Sequence, residues 1–246
     1  MTGAEIAVVL AASLLGAFVK SVTGMGYPLI AVPLITLVLG VEDAVVIVAA
    51  PNVTANALLC LGARDGRDDA RDLVPLVGLG MVGAVFGTFA LVSVPEEPLL
   101  LALVATIAAF VVNYVRSPEL RIDPLTATRW SPGVGTVAGL MQGAVGVSGP
   151  VVATWLHGYR LPKQAYVYSV TLIFGLSGLV QLVLLGASGE FDADRTTVSL
   201  LAFVPVLAMI PVGTALRARL AGRTFERAVL LVLVASALAL VARVVG

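Results

Sequence analysis

GAFVKSVTGMGYP at residues 16–28 and GLMQGAVGVSGP at residues 139–150 are the stretches whose reading decides the fold. Each is an apolar run that meets a cluster of glycines, then a proline (Pro28, Pro150), then a short second apolar run. Glycine permits a break in the backbone and a close approach to it. Proline at the start of a helix has no N–H to leave unsatisfied. Each stretch therefore reads as a helical hairpin with a broken tip, the first turning at Gly24–Tyr27, and each is followed by three longer apolar runs.

Working outward, the 246 residues are 59% hydrophobic and 12% charged, against about 25% charged in soluble domains. Apolar runs recur from end to end: Ala4–Val22, Pro28–Gly40, Ala44–Ala63, Leu73–Val94 and Leu99–Val115, then Pro132–Val147, Pro150–His157, Ala165–Gly186, Thr197–Leu216 and Ala228–Val245. Only helices and closed barrels span lipid. These runs are long and do not alternate, so the expected class is an all-α integral membrane protein. The expected units are a repeat at 1–116, a cytoplasmic linker at 117–131 and a second repeat at 132–246. Net charge is zero, which argues against a nucleic-acid partner. Cys60 has no partner for an internal disulfide and reads as packing. The first run lacks a basic flank and reads as mature chain rather than a signal peptide.

The loops sort by charge. Arg64, Arg67 and Arg71 share one; Arg116, Arg121 and Arg129 another; Arg160 and Lys163 a third; Arg217, Arg219, Arg223 and Arg227 a fourth. Glu42–Asp43, Glu96–Glu97 and Glu190–Arg195 are acidic or mostly so. Lysine and arginine concentrate on the cytoplasmic side, which puts the four basic loops inside, the three acidic ones outside, and both termini outside. Each half then makes an odd number of net crossings in opposite directions. That is an inverted-topology repeat, the plan of many secondary transporters, whose substrates sit near midplane at discontinuous helices.

The helix starts at Pro28 and Pro150 offer free N–H groups and a partial positive charge. If they meet near midplane, they make a site for an anion. The bland alternative is that the glycines only let helices pack closely. Lys20 favours the site: it is charged, deep in an apolar run, one turn before Gly24. An intramembrane charge is a functional hypothesis, the alternative being a side chain that snorkels to water. The matching position in the second half is read as Gly143, so the site is asymmetric. Candidate substrate contacts are Lys20, Thr23, Gly24, Gly26, Tyr27, Asn52, Asn56, Gln142, Gly146, Ser148 and Gly149. Asn52 and Asn56, at i and i+4, share a helix face. Thr54 and, in the second half, Tyr166, Tyr168, Ser169 and Thr171 are weaker candidates. His157 reads as interfacial, and Trp130 and Trp155 as belt or packing residues. No Asp or Glu lies within a run, no Walker loop occurs, and nothing builds a catalytic triad, so no enzyme, cofactor or metal is expected.

The broken-helix pattern, carried by Gly16, Gly24, Gly26 and Pro33 and again by Gly139, Gly143, Gly146, Gly149 and Pro150, resembles the TauE/SafE family of sulfite-exporter-like permeases over essentially the whole chain. The resemblance implies movement of sulfite, sulfoacetate or a related organosulfonate across the bacterial cytoplasmic membrane, with export the expected direction. The expected partners are the small anion and the lipid bilayer, with a homodimer left open. A carrier of another small anion such as a carboxylate, or an anion channel, remains an alternative.

Overall fold

The computed structural model describes residues 1–23, 26–116, 121–220 and 223–245, and among these it contains helices and no strand. Ten α-helices follow the ten apolar runs: α1 Gly3–Thr23, α2 Tyr27–Leu39, α3 Val41–Gly62, α4 Leu73–Ser93, α5 Glu96–Arg116, α6 Pro124–Val145, α7 Gly149–Gly158, α8 Lys163–Ala187, α9 Ala193–Leu220 and α10 Arg223–Val245. Six of them, α1, α3, α4, α5, α8 and α9, contain segments long and apolar enough to cross a membrane. With 13 and 10 residues, α2 and α7 reach only about 20 and 15 Å, short of a hydrocarbon core of about 30 Å. Phe86, Phe89, Leu200, Val204, Leu231 and Leu238 face outward, while Lys20, Asn52, Asn56, Gln142 and Gln181 are inside. An apolar exterior around a polar interior is the pattern of a multi-pass membrane protein.

The hairpins form at the glycine breaks. α1 packs on α2, and α6 on α7. Gly26 (φ 115°) precedes α2 and Gly146 (φ 70°) ends α6, both in the left-handed region that a side chain disfavours. Pro28 and Pro150 are the second residues of their helices rather than the first. Gly24 lies outside the described residues. One boundary differs from expectation. The Asp123 carboxylate accepts the Thr126 N–H at 3.1 Å and Pro124 follows it, a strong helix start. Residues 124–131 of the expected linker are therefore the first turns of α6, with Pro132 inside it.

Helices of the two halves interlock: α1 packs on α9, α4 on α6, α3 on α8 and α5 on α10. The closest approach is α4 on α6. A Cβ on Gly139 would fall on the Gly80 carbonyl, and one on Gly87 on the Leu140 carbonyl. Small residues permit such backbone contact, which supplies dispersion where lipid removes the hydrophobic drive. Gly139 and Gly143 thus serve first to seat α6 against α4.

The loops segregate to two ends. At one, Arg195 bonds Glu42 (2.7 Å), Asp43 (2.6 Å) and Glu190 (2.8 Å). There too Arg243 meets Glu96 at 3.4 Å and the Met1 amine meets Asp194 at 2.6 Å. At the other end, Asp72 accepts from Tyr159 (3.0 Å) and Thr128 (3.1 Å), and the Ile122 N–H bonds the Gly158 carbonyl.

Candidate functional site

Lys20 enters the interior from the last turn of α1, where apolar neighbours carry its stem inward. It is 1% exposed, so it does not snorkel to water. Its Nζ donates to Asn56 Oδ1 at 2.7 Å and sits 5.9 Å from the centre of the Phe174 ring. One turn back on α3, Asn52 Oδ1 accepts from Asn56 Nδ2 at 3.2 Å. Helical spacing puts both amides on one face of α3, and Gly175 and Gly178 let α8 close on that face, against Asn56 and Val53. Asn52 and Asn56 are 3% and 0% exposed. The amide N–H groups of Asn52 have no partner among the described residues. Holding this amine in its charged form with a neutral acceptor and no carboxylate among the described residues is costly, and an anion beside it would offset that cost. The chemistry it lacks is that of an anion.

A second polar cluster lies at the break between α6 and α7. Ser148 Oγ donates to Gln142 Oε1 (3.0 Å), and Gln142 Nε2 donates to Gln181 Oε1 (3.1 Å). Gln181 Nε2 donates to the carbonyls of Gln142 (2.8 Å) and Gly143 (3.0 Å). Interrupting a helix in a membrane strands carbonyls that must find partners, and Gln181 supplies one for Gly143 and a second for Gln142, whose carbonyl also accepts the Gly146 N–H. The sequence reading missed Gln181, a lone amide inside a long apolar run with no glycine or proline to flag it. On α8, Phe174 and Gln181 are two turns apart, about 10 Å, so one helix face links the clusters.

The other candidates divide. Tyr27 is fully buried but turns its hydroxyl to Ser13 at 3.3 Å, two turns along α1 from Lys20. Thr23 is exposed and donates to the Val19 carbonyl. Gly26 packs near Val19, and Gly146 near Val45 and Val32. Gly149 is buried, with open space where a side chain would start. Thr54, Ser169 and Thr171 bond carbonyls of their own helices.

At the base of the second hairpin the Tyr159 hydroxyl accepts from Trp155 Nε1 at 2.9 Å, lies 3.0 Å from Ser131 Oγ and donates to Asp72. Burial, with the nearby Asp72 charge, pushes its phenol up to about 12. A cavity of about 280 Å³ opens beside it, bordered by Arg71, Asp72 and Thr128, remote in the fold from Lys20.

The sequence model of the sulfite exporter TauE/SafE family matches residues 9–240. No curated protein and no solved structure matches the chain. Because the matched region takes in both hairpins and every helix around Lys20, the chain belongs to the sulfite exporter TauE/SafE family of membrane transporters.

Proposed function

We propose that this protein is a secondary carrier exporting a small sulfur-containing oxyanion by alternating access, with Lys20, Asn52 and Asn56 as the core of its binding site. The observation that carries the reading is Lys20, whose amine is buried in the bundle with no carboxylate partner among the described residues, beside Asn52, whose amide N–H groups also have no partner there. Tyr27 and Thr23 drop from the site because their hydroxyls point elsewhere. Gln142 and Ser148 shape the second break.

Packing supports an inverted repeat. Aligning the halves on Pro28 and Pro150 makes Gly178 the counterpart of Asn56 and Gly175 that of Val53. The contact between Asn56 and Gly175 then maps onto that between Gly178 and Val53, which is also present. These pairs run α3 antiparallel to its counterpart α8, as inversion requires. Likewise the Ser21–Met209 contact maps onto Gly143–Gly87. In this register the counterpart of Lys20 is Gln142, not Gly143, so the two polar clusters are twins of unequal charge. The basic end is the cytoplasmic one in this reading, with both termini outside.

The test is flux in proteoliposomes. Saturable sulfite or methanesulfonate transport with counterflow, lost in Lys20→Gln, is expected. Linear flux without counterflow would indicate a channel, and transport of acetate alone a carboxylate carrier.

A further inference from the structure

From the charge balance around Lys20 we infer that the site takes a single negative charge: it selects monoanions and rejects dianions of the same shape. The inference rests on the anion-carrier reading and adds a rule about valence. Among the described residues, Lys20 is the one charged side chain in the buried set. The groups that Lys20 meets among the described residues are neutral: Asn56 on α3, with Asn52 behind it, and Phe174 on α8, flanked by Gly175 and Gly178. The twin cluster offers no second cation, because Gln142, Ser148 and Gln181 are neutral and bonded to one another.

The charged ends are too far away, and Arg195, at the acidic end, is already paired. Along α3, Asp43 lies nine residues from Asn52, about 13 Å. Arg195, beside Asp43, is held by Glu42, Asp43 and Glu190. Along α8, Lys163 is eleven residues from Phe174, about 16 Å.

One ammonium balances one negative charge. Its remaining N–H groups and the Asn52 amide can serve the oxygens of a single oxyanion head. A second negative charge would be buried without a partner, which is strongly disfavoured in such surroundings. The Phe174 wall, continuous with Val170 and Ile173, accommodates an uncharged substituent and gives nothing to a second anionic group. Monosulfonates and hydrogensulfite fit this rule; sulfate and doubly charged sulfoacetate do not.

The experiment measures equilibrium binding to purified wild-type protein in detergent. Methanesulfonate and sulfamate serve as monoanions, one with an apolar and one with a polar fourth substituent, and sulfate as their near-isosteric dianion. Both monoanions are expected to bind about a hundredfold more tightly than sulfate. Lys20→Arg should keep that preference, since it keeps the charge. Sulfate binding within a few-fold of both monoanions would overturn the valence rule and leave the carrier reading standing. Preference for methanesulfonate but not sulfamate would trace selectivity to the methyl group and also overturn the rule. Failure of all three to bind would overturn the carrier reading, and the rule with it.

Discussion

Lys20 and Asn56 can be pulled apart by a change of one functional group. Asn56→Asp would place a carboxylate where Lys20 now finds an amide oxygen at 2.7 Å. The internal ion pair would satisfy the lysine and leave no unbalanced charge for a substrate. The expected result is a folded protein, as stable as wild type or more so, whose anion binding is lost; calorimetric titration and a thermal melt check the two halves of that statement. Gln181→Leu should act the other way. It removes a partner from two carbonyls at the α6 break, one of which, that of Gln142, keeps the Gly146 N–H, and leaves Lys20 untouched. Hydrogen bonds in membrane interiors average about 0.6 kcal/mol, so losing its three bonds is expected to destabilise by about 2 kcal/mol while binding, measured on the folded fraction, persists. The two residues also differ in legibility. Lys20 stands out because charge is rare in an apolar run, and Asn52 and Asn56 declare a shared face by their spacing. Gln181 matters only because α8 passes the α6 break, which no local pattern records.

At the scale of helices, the glycines of α4 and α6 carry more packing than the broken-helix pattern suggests. Gly139→Ala would drive a methyl group into the Gly80 carbonyl, whereas Gly133→Ala, on the same helix, meets nothing within 4 Å. The first is expected to give little monodisperse protein on size exclusion, and the second to behave as wild type. The short helix α7 is tied at its base by Tyr159 to Asp72. Its phenol is raised from an ordinary value near 10 to about 12, chiefly by burial. A raised folded value means the stabilisation is intact below pH 10 and fades as pH climbs toward 12. Thermal stability should fall across that window, and Tyr159→Phe should flatten this part of the dependence. Element boundaries followed the apolar runs closely because lipid imposes length and composition together. The start of α6 escaped because its first turns are polar, with Arg129 and Trp130 among them, and only the capping of Asp123 marks it.

For the whole molecule, Arg195 is the stitch between α3 and the loop before α9. Its side chain is 18% exposed, so its loss leaves a cluster of carboxylates partly buried and unbalanced. Arg195→Gln is expected to destabilise by about 3 kcal/mol, read as a lower melting temperature that high salt partly restores as it screens the carboxylates. Charge sorting in the loops predicted which of them share an end, since each pairing the structure shows at the acidic end joins loops read as one side. The register in which α1 meets α9 was not legible, because it depends on contacts between residues almost two hundred positions apart. That pairing bears on how the protein is made. Ser21 bonds the Met209 carbonyl, and Gly213 packs against Ser21 and Phe18. α1 reaches the membrane before the seven helices that separate it from α9 in the chain. While those helices are being made, the helix bearing Lys20 waits in the bilayer without the α9 surface it packs on, and the nascent chain needs shelter at the insertion machinery until α9 arrives.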